Sequence, residues 1–216
     1  MMKLRQSARG FTLMELLVAI SLVLVLAALV FPMAAKSRNA AQAVNCAANL
    51  KQIGVGLQNY IAENDGRLVP GSMLPSGWYW YHALDEYMGG TDTNWSSPNR
   101  PKWQLCPNHD VPTKTYVTIG YGWNYNNFGL DKDTPGKGYN SRLSEVTHPS
   151  QTMIIGDAVD VDVDPSPAGN FRYRNLSPFE GLHAKRHGGR GNYLMLDGHV
   201  ESLPPDFDIK LMQKFK

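Results

Sequence analysis

From residue 11 to residue 31 the chain reads FTLMELLVAISLVLVLAALVF, in which Glu15 is the sole ionisable side chain. At about 1.5 Å per residue such a helix is roughly 30 Å long, the thickness of a bilayer's hydrocarbon layer. The segment is therefore a membrane-spanning candidate. Lys3, Arg5 and Arg9 precede it with no acid among them, so the positive-inside tendency holds the N-terminus in the cytoplasm and sends the remainder of the chain outward. A secretory signal peptide shares the basic start and the apolar run, and Ala27, Ala28, Ala34 and Ala35 offer small residues for its cleavage. Against that reading, the run is longer than a signal core and carries an acid near its start.

The rest of the composition bounds the problem. With 216 residues the chain has room for one ordinary domain besides the apolar segment. Its net charge of +2 gives no electrostatic footprint for nucleic acid. Apolar residues make up 43% of the chain, a globular proportion, but they crowd into positions 11–31.

Glu15 sets the next constraint, because an ionised side chain in hydrocarbon costs on the order of 2–3 kcal/mol unless partnered. The stretch Gly10-Phe11-Thr12-Leu13-Met14-Glu15, followed by LLVAI, resembles the processing site of type IV prepilins and type II secretion pseudopilins. The resemblance implies that a prepilin peptidase cuts between Gly10 and Phe11 and methylates the new terminus at Phe11. It also implies that Glu15 pairs with the terminal ammonium of a neighbouring subunit inside a filament. An unpaired buried carboxylate is destabilising, so such a pair would set the register of assembly. The plain alternative is a helix-end Glu that snorkels to the headgroups.

After Phe31, Pro32 is expected to kink the helix rather than end it, because the residues beyond it stay helical in composition to about Ala62. Val44, Ala47, Ala48, Leu50, Ile53, Leu57, Tyr60 and Ile61 recur at spacings of three and four, a stripe suited to packing beneath a sheet. Gly54 and Gly56 each cost roughly 1 kcal/mol within a helix, which signals either a close approach of another backbone or a bend. Asn64-Asp65-Gly66 marks the turn at the helix end.

Beyond it the chain is loop-rich, with strand-like runs at 115–121, 151–157, 192–196 and 199–203 that make a small antiparallel sheet. Asp197-Gly198 is expected to be the two-residue loop of a hairpin joining the last two. Segments 122–141 and 158–190 are rich in Gly, Asn, Asp and Pro and suggest long surface excursions. The fold class is α+β and, given the resemblance, pilin-like: a long N-terminal helix, its first half membrane-spanning, packed against a small antiparallel sheet. Its divisions are a basic leader (1–10), a membrane or filament-core helix (11–31), an amphipathic continuation (32–62) and an exported β-rich head (63–216).

A second resemblance starts at His187, from which nine residues lead to Asp197-Gly198. This looks like the H-X9-DG motif near the C-terminus of pilin-like proteins abundant in planctomycetes. CAANLKQIGVGLQNY in the helix, CPNHD at 106–110 and YGWNYN at 121–126 resemble that family too. Trp78-Tyr79-Trp80-Tyr81 departs from it and suits a core or an interface.

His187 and Asp197, with Asp157 as a third member, could ligate a metal or act as an acid–base pair. No nucleophile stands at a recognised spacing, so the favoured reading makes His187, Asp197 and Gly198 structural pins of the hairpin, with no catalytic residue, metal or cofactor expected. Asp160, Asp162 and Asp164 open like an EF-hand loop, but Pro165 and Phe171 stand where Gly and a bidentate Glu belong. Cys46 and Cys106, the two cysteines, both fall on the exported side, where a disulfide between helix and head competes with a pair of buried thiols.

These features lead to a non-enzymatic structural subunit of a type IV pilus-like or type II secretion-like filament. It would be anchored in the inner membrane by one pass, with its head exported, and then assembled in the periplasm or at the cell surface. Its expected partners are the prepilin peptidase, like subunits and the inner membrane, with an extracellular polymer as a candidate ligand of exposed aromatics. The alternatives are a membrane-tethered binding module for polymer or carbohydrate and, last, a metal-dependent surface enzyme.

Overall fold

The computed structural model describes residues 11–73, 78–89, 103, 106–107, 121–124, 128, 141–157 and 187–204. Its dominant element is α1, Leu13–Glu63, a single helix of 51 residues that passes through Pro32. The chain divides into two compact units, Met1–Asn39 and Ala40–Lys216.

Within the first unit the helix is apolar on every side from Leu16 to Phe31, Ser21 apart. From Phe11 to Phe31 its large side chains are exposed, as a segment that meets lipid or neighbouring helices must be. It is long and apolar enough to cross a membrane and is consistent with an anchor.

In the second unit, α1 supplies one wall of the core through Cys46, Leu50, Ile53, Leu57 and Ile61, all buried. Their spacings of three and four place them on one face. Val44, which the hydrophobic pattern includes in the stripe, is 68% exposed. It lies two residues before Cys46, about 200° away around the helix. The smaller thiol, not the larger aliphatic side chain, therefore continues the buried face. The helix ends in a left-handed turn, with Asp65 at φ 55° and Gly66 at φ 76°, and the Gly66 N–H donates to the Ile61 carbonyl at 2.9 Å. That pattern satisfies a carbonyl the helix end would otherwise orphan.

Two short strands, β1 (Ser72–Met73) and β2 (Trp78–Tyr79), pair antiparallel and lead into a helix, α2, Trp80–Asp85. The main sheet has four antiparallel strands in sequence order: β3 (Tyr121–Trp123), β4 (Met153–Asp157), β5 (Gly191–Met195) and β6 (Val200–Leu203). Three of the expected strands are thus present within a residue or two of their reading, and of the fourth only Tyr121 is described. Gln151 ends a 3-10 turn instead of starting β4. Both central strands, β4 and β5, are buried along their whole length. β4 is bulged between Met153 and Ile155, and the bulge is braced by Asn124, whose side-chain amide donates to the Met153 carbonyl at 2.7 Å. A β-bulge leaves one residue outside the ladder, so its polar groups need such a partner.

The β5–β6 hairpin corrects one expectation. Gly198 N–H donates to the Met195 carbonyl, and Met195 N–H to the His199 carbonyl, so Leu196, Asp197 and Gly198 form a three-residue loop. Only Gly198 among them has positive φ, 88°, as in a type I turn closed by a glycine bulge; a two-residue turn of the primed type needs positive φ at its first central position. The hairpin rides on α1. A Cβ on Gly54 would stand 2.8 Å from Leu194 Cδ1 and 3.4 Å from the Gly198 carbonyl oxygen, so of the two readings of that glycine the close approach is the one observed. Lys51 Nζ donates to the Gly198 carbonyl at 2.9 Å and Gln58 Nε2 to the Leu196 carbonyl at 2.7 Å.

Trp80 and Tyr81 are buried, and Trp80 stacks on Trp123 at 6.2 Å between ring centroids. Trp103 is buried as well. These aromatics are core, which removes them from any ligand surface. The EF-hand-like run 160–171 lies outside the described residues.

Candidate functional site

Two places among the described residues bear on the sequence-predicted sites. The first is the start of α1, where Thr12 and Glu15 form a reciprocal cap. The Glu15 carboxylate accepts the Thr12 backbone N–H and hydroxyl at 2.9 Å each, and the Thr12 hydroxyl accepts the Glu15 N–H at 3.2 Å. A Thr followed three residues later by Glu is the capping-box pattern, and it satisfies donors that the helix N-terminus leaves open. Glu15 thus has a partner within its own chain, one that the sequence pattern Thr-x-x-Glu signals and that the expectation of a partner in a neighbouring subunit passed over.

The second is a buried cluster where four segments of the head converge. Cys46 comes from the inner face of α1, Asp157 from the end of β4, His187 from just before β5, and Cys106 from the 103–107 region. One ligand-capable atom from each lies within 4.8 Å of the other three, and all four residues are buried. Cys46 Sγ donates to Asp157 Oδ1 at 3.1 Å. His187 Nε2 stands 3.2 Å from Asp157 Oδ2 and 3.3 Å from Cys106 Sγ. Around them, the Asn192 N–H donates to Asp157 Oδ2 at 2.8 Å, and the Tyr121 hydroxyl lies 3.4 Å from Cys46 Sγ. Asn192 in turn donates its side-chain amide to the Ala43 carbonyl of α1 at 3.2 Å.

The electrostatics follow from this crowding. The hydrogen bond with Cys106, burial and the charge of Asp157 all push the Cys46 thiol up. Burial, with the neighbouring cysteines, also raises Tyr121. For His187 burial works downward but is outweighed by Asp157 and Cys106, and the imidazole is pushed up to about 9. His187 Nδ1 is buried without a hydrogen-bond partner. Cys106 and Asp157 therefore both address the same ring nitrogen, Nε2. A nucleophile–base–orienter relay needs the orienting carboxylate on the opposite nitrogen, so the arrangement is not that of a catalytic triad.

The structure distributes the sequence-predicted residues differently from the expectation. His187 joins Asp157 and the two cysteines, and Asp197 stands apart on the hairpin. Asp197 accepts the His199 N–H at 3.1 Å and contacts His199 Nδ1 at 2.6 Å. The spacing from His187 to Asp197-Gly198 is thus the length of one buried strand plus its turn, with the two side chains serving different partners. Cys46 and Cys106 do meet, as thiols within the cluster and not as a disulfide.

Residues 5–31 match the family model of the prokaryotic N-terminal methylation motif. The match covers the leader's end and the apolar run, and supports a type IV prepilin-like N-terminus. No curated protein and no solved structure matches the chain.

Proposed function

We propose that the chain is a structural subunit, a pilin or pseudopilin, of a type IV pilus-like or type II secretion-like filament. A prepilin peptidase cuts it between Gly10 and Phe11 and methylates Phe11. The apolar half of α1 first holds it in the inner membrane and then joins like subunits in the filament core, with the head exported. The observation that carries this reading is the methylation motif at residues 5–31, which coincides with the start of a helix whose large apolar side chains are exposed from Phe11 onward. A lone chain leaves that surface bare, and bilayer or sister helices would cover it. In this reading the subunit is non-enzymatic; the burial of the Cys46, Cys106, Asp157 and His187 cluster, and the placing of Cys106 and Asp157 on the same ring nitrogen, support that reading.

The test is mass spectrometry of the protein isolated from its native envelope, joined to immunogold microscopy. An N-terminus at methylated Phe11 and label along filaments are expected. An intact leader, cleavage near Ala35, or label dispersed through the envelope with no filaments would overturn the proposal.

A further inference from the structure

The geometry points to a closed zinc site in the head, with Cys46 Sγ, Cys106 Sγ, His187 Nε2 and a carboxylate oxygen of Asp157 as the four ligands of one Zn²⁺ ion. This goes beyond the filament role and does not depend on it. Zinc takes sulfur at about 2.3 Å and nitrogen or oxygen at about 2.0–2.2 Å in a tetrahedron, whose ligand-to-ligand edges are then about 3.3–3.8 Å. His187 Nε2 stands 3.2 Å from Asp157 Oδ2 and 3.3 Å from Cys106 Sγ, and Cys46 Sγ stands 3.1 Å from Oδ1, the other oxygen of the same carboxylate. One donor atom from each of the four residues lies within 4.8 Å of the other three, so side-chain adjustments of about 1 Å or less bring the set to tetrahedral edges. The donor set of two thiolates, an imidazole and a carboxylate suits zinc and does not suit calcium or magnesium, which want oxygen. Four protein donors in a buried place leave no open position, the mark of a structural site.

Features around the cluster agree. A metal site needs outer partners that orient its ligands, and here the Asn192 N–H fixes Asp157 while the Tyr121 hydroxyl lies near Cys46 Sγ. With both thiols ionised, the ligands carry three negative charges against two on the ion, and those donors face the remainder. Burying His187 Nδ1 without a partner is costly whether or not Nε2 holds a metal, so the assignment is carried by the four converging donors. Neither thiol can serve such a site once the two are joined as a disulfide, so the two states exclude each other.

The experiment uses the full chain, purified in detergent without reductant from cells supplied with zinc. About one zinc per chain and two thiols shielded from alkylation are expected. After chelation, Co²⁺ should restore one equivalent of tetrahedral d–d bands with a thiolate charge-transfer band, and Zn²⁺ should displace it. Cys106→Ser should roughly halve the charge-transfer intensity, and Asp157→Asn should weaken zinc binding about 100-fold or more. Saturating zinc should raise Tm by roughly 10 °C. A Cys46–Cys106 disulfide in the isolated protein overturns the proposal. So do free thiols that alkylate equally with and without zinc, or a cobalt spectrum without thiolate charge transfer. The decisive readings are taken on the unmutated chain, so a variant that fails to fold does not blunt them.

Discussion

Replacing Gly156 with Ala adds a single methyl group next in sequence to Asp157 of the buried cluster, and its effect is a contest between two opposed magnitudes. Gly156 lies in β4 opposite Tyr193 of β5 and does not have positive φ, so its backbone suits alanine. On that count the substitution should stabilise by about 0.5–1 kcal/mol, the entropy a strand glycine forfeits. The new Cβ, however, would overlap Tyr193 Cδ1, stand 2.8 Å from Cε1 of the same ring and lie 3.3 Å from the Asn192 carbonyl oxygen. Tyr193 is fully buried, and overpacking a filled core costs about 1–3 kcal/mol. The ring cannot swing into solvent, and the Asn192 backbone cannot shift without disturbing the N–H that holds Asp157. The clash should prevail at the upper end of its range, a net loss of about 1–2 kcal/mol and a fall in Tm of roughly 2–8 °C for a chain of this size. Thermal melts of the full chain in detergent would read it. Tyr193→Leu should restore part of the loss in the double variant, whereas Tyr193→Phe, which keeps the ring, should restore none. A Gly156→Ala chain as stable as its parent would refute the reasoning.

Gly198→Val should cost about 1–2 kcal/mol and Gly198→Asn less, because φ is +88° while the nearest atom to a new Cβ is 3.9 Å away, so the penalty is conformational and not steric. Equal melts for the two variants would contradict it. Burial works against the ionised form of Asp197, but hydrogen bonds from the His199 backbone and ring hold its carboxyl below the ordinary value of 3.8. A depressed carboxyl lends stability that is complete above the ordinary Asp range and is lost as pH falls through the lowered value. The melting difference between wild type and Asp197→Asn should therefore shrink only below about pH 4, and a difference that vanished near neutrality would count against the pairing. Glu15→Ala should still insert in the membrane yet lower filament yield about tenfold or more. An unpaired terminal ammonium in hydrocarbon costs on the order of 2–3 kcal/mol, and undiminished yield on electron micrographs would reject this.

The long helix and the sheet were legible because their signals are local. Apolar residues run almost without interruption from 16 to 31, and the alternation in 192–196 and 199–203 meets across a glycine turn. The exact loop was not legible, since Asp-Gly fits both a two-residue turn and the three-residue turn observed; the choice depends on where the ladder resumes, at Met195 and His199. The buried cluster was half legible. The two cysteines pair on grounds of compartment, and the chemistry of His187 pointed first to Asp197 with Asp157 only as a third member, but nothing local says that the cysteines, His187 and Asp157 are one site. Their separations of 60, 51 and 30 residues (46 to 106, 106 to 157, 157 to 187) are closed only by the tertiary fold. The H-X9-DG spacing pointed toward a His–Asp contact because spacing records position along the chain, whereas β5 carries the two side chains to opposite ends of one strand.

The grip of the hairpin on α1 has a mechanical consequence. Asn192 holds the helix at Ala43, Gly198 accepts from Lys51, and Leu196 accepts from Gln58, anchor points spread over 15 residues (43 to 58), or about 22 Å of helix at 1.5 Å per residue. Tension delivered along the helix axis would load these bonds in shear, all at once, together with the interdigitation of Leu194 at Gly54. They would not peel one after another like a zipper. A head fastened in this way should yield abruptly at a high force and not creep at a low one.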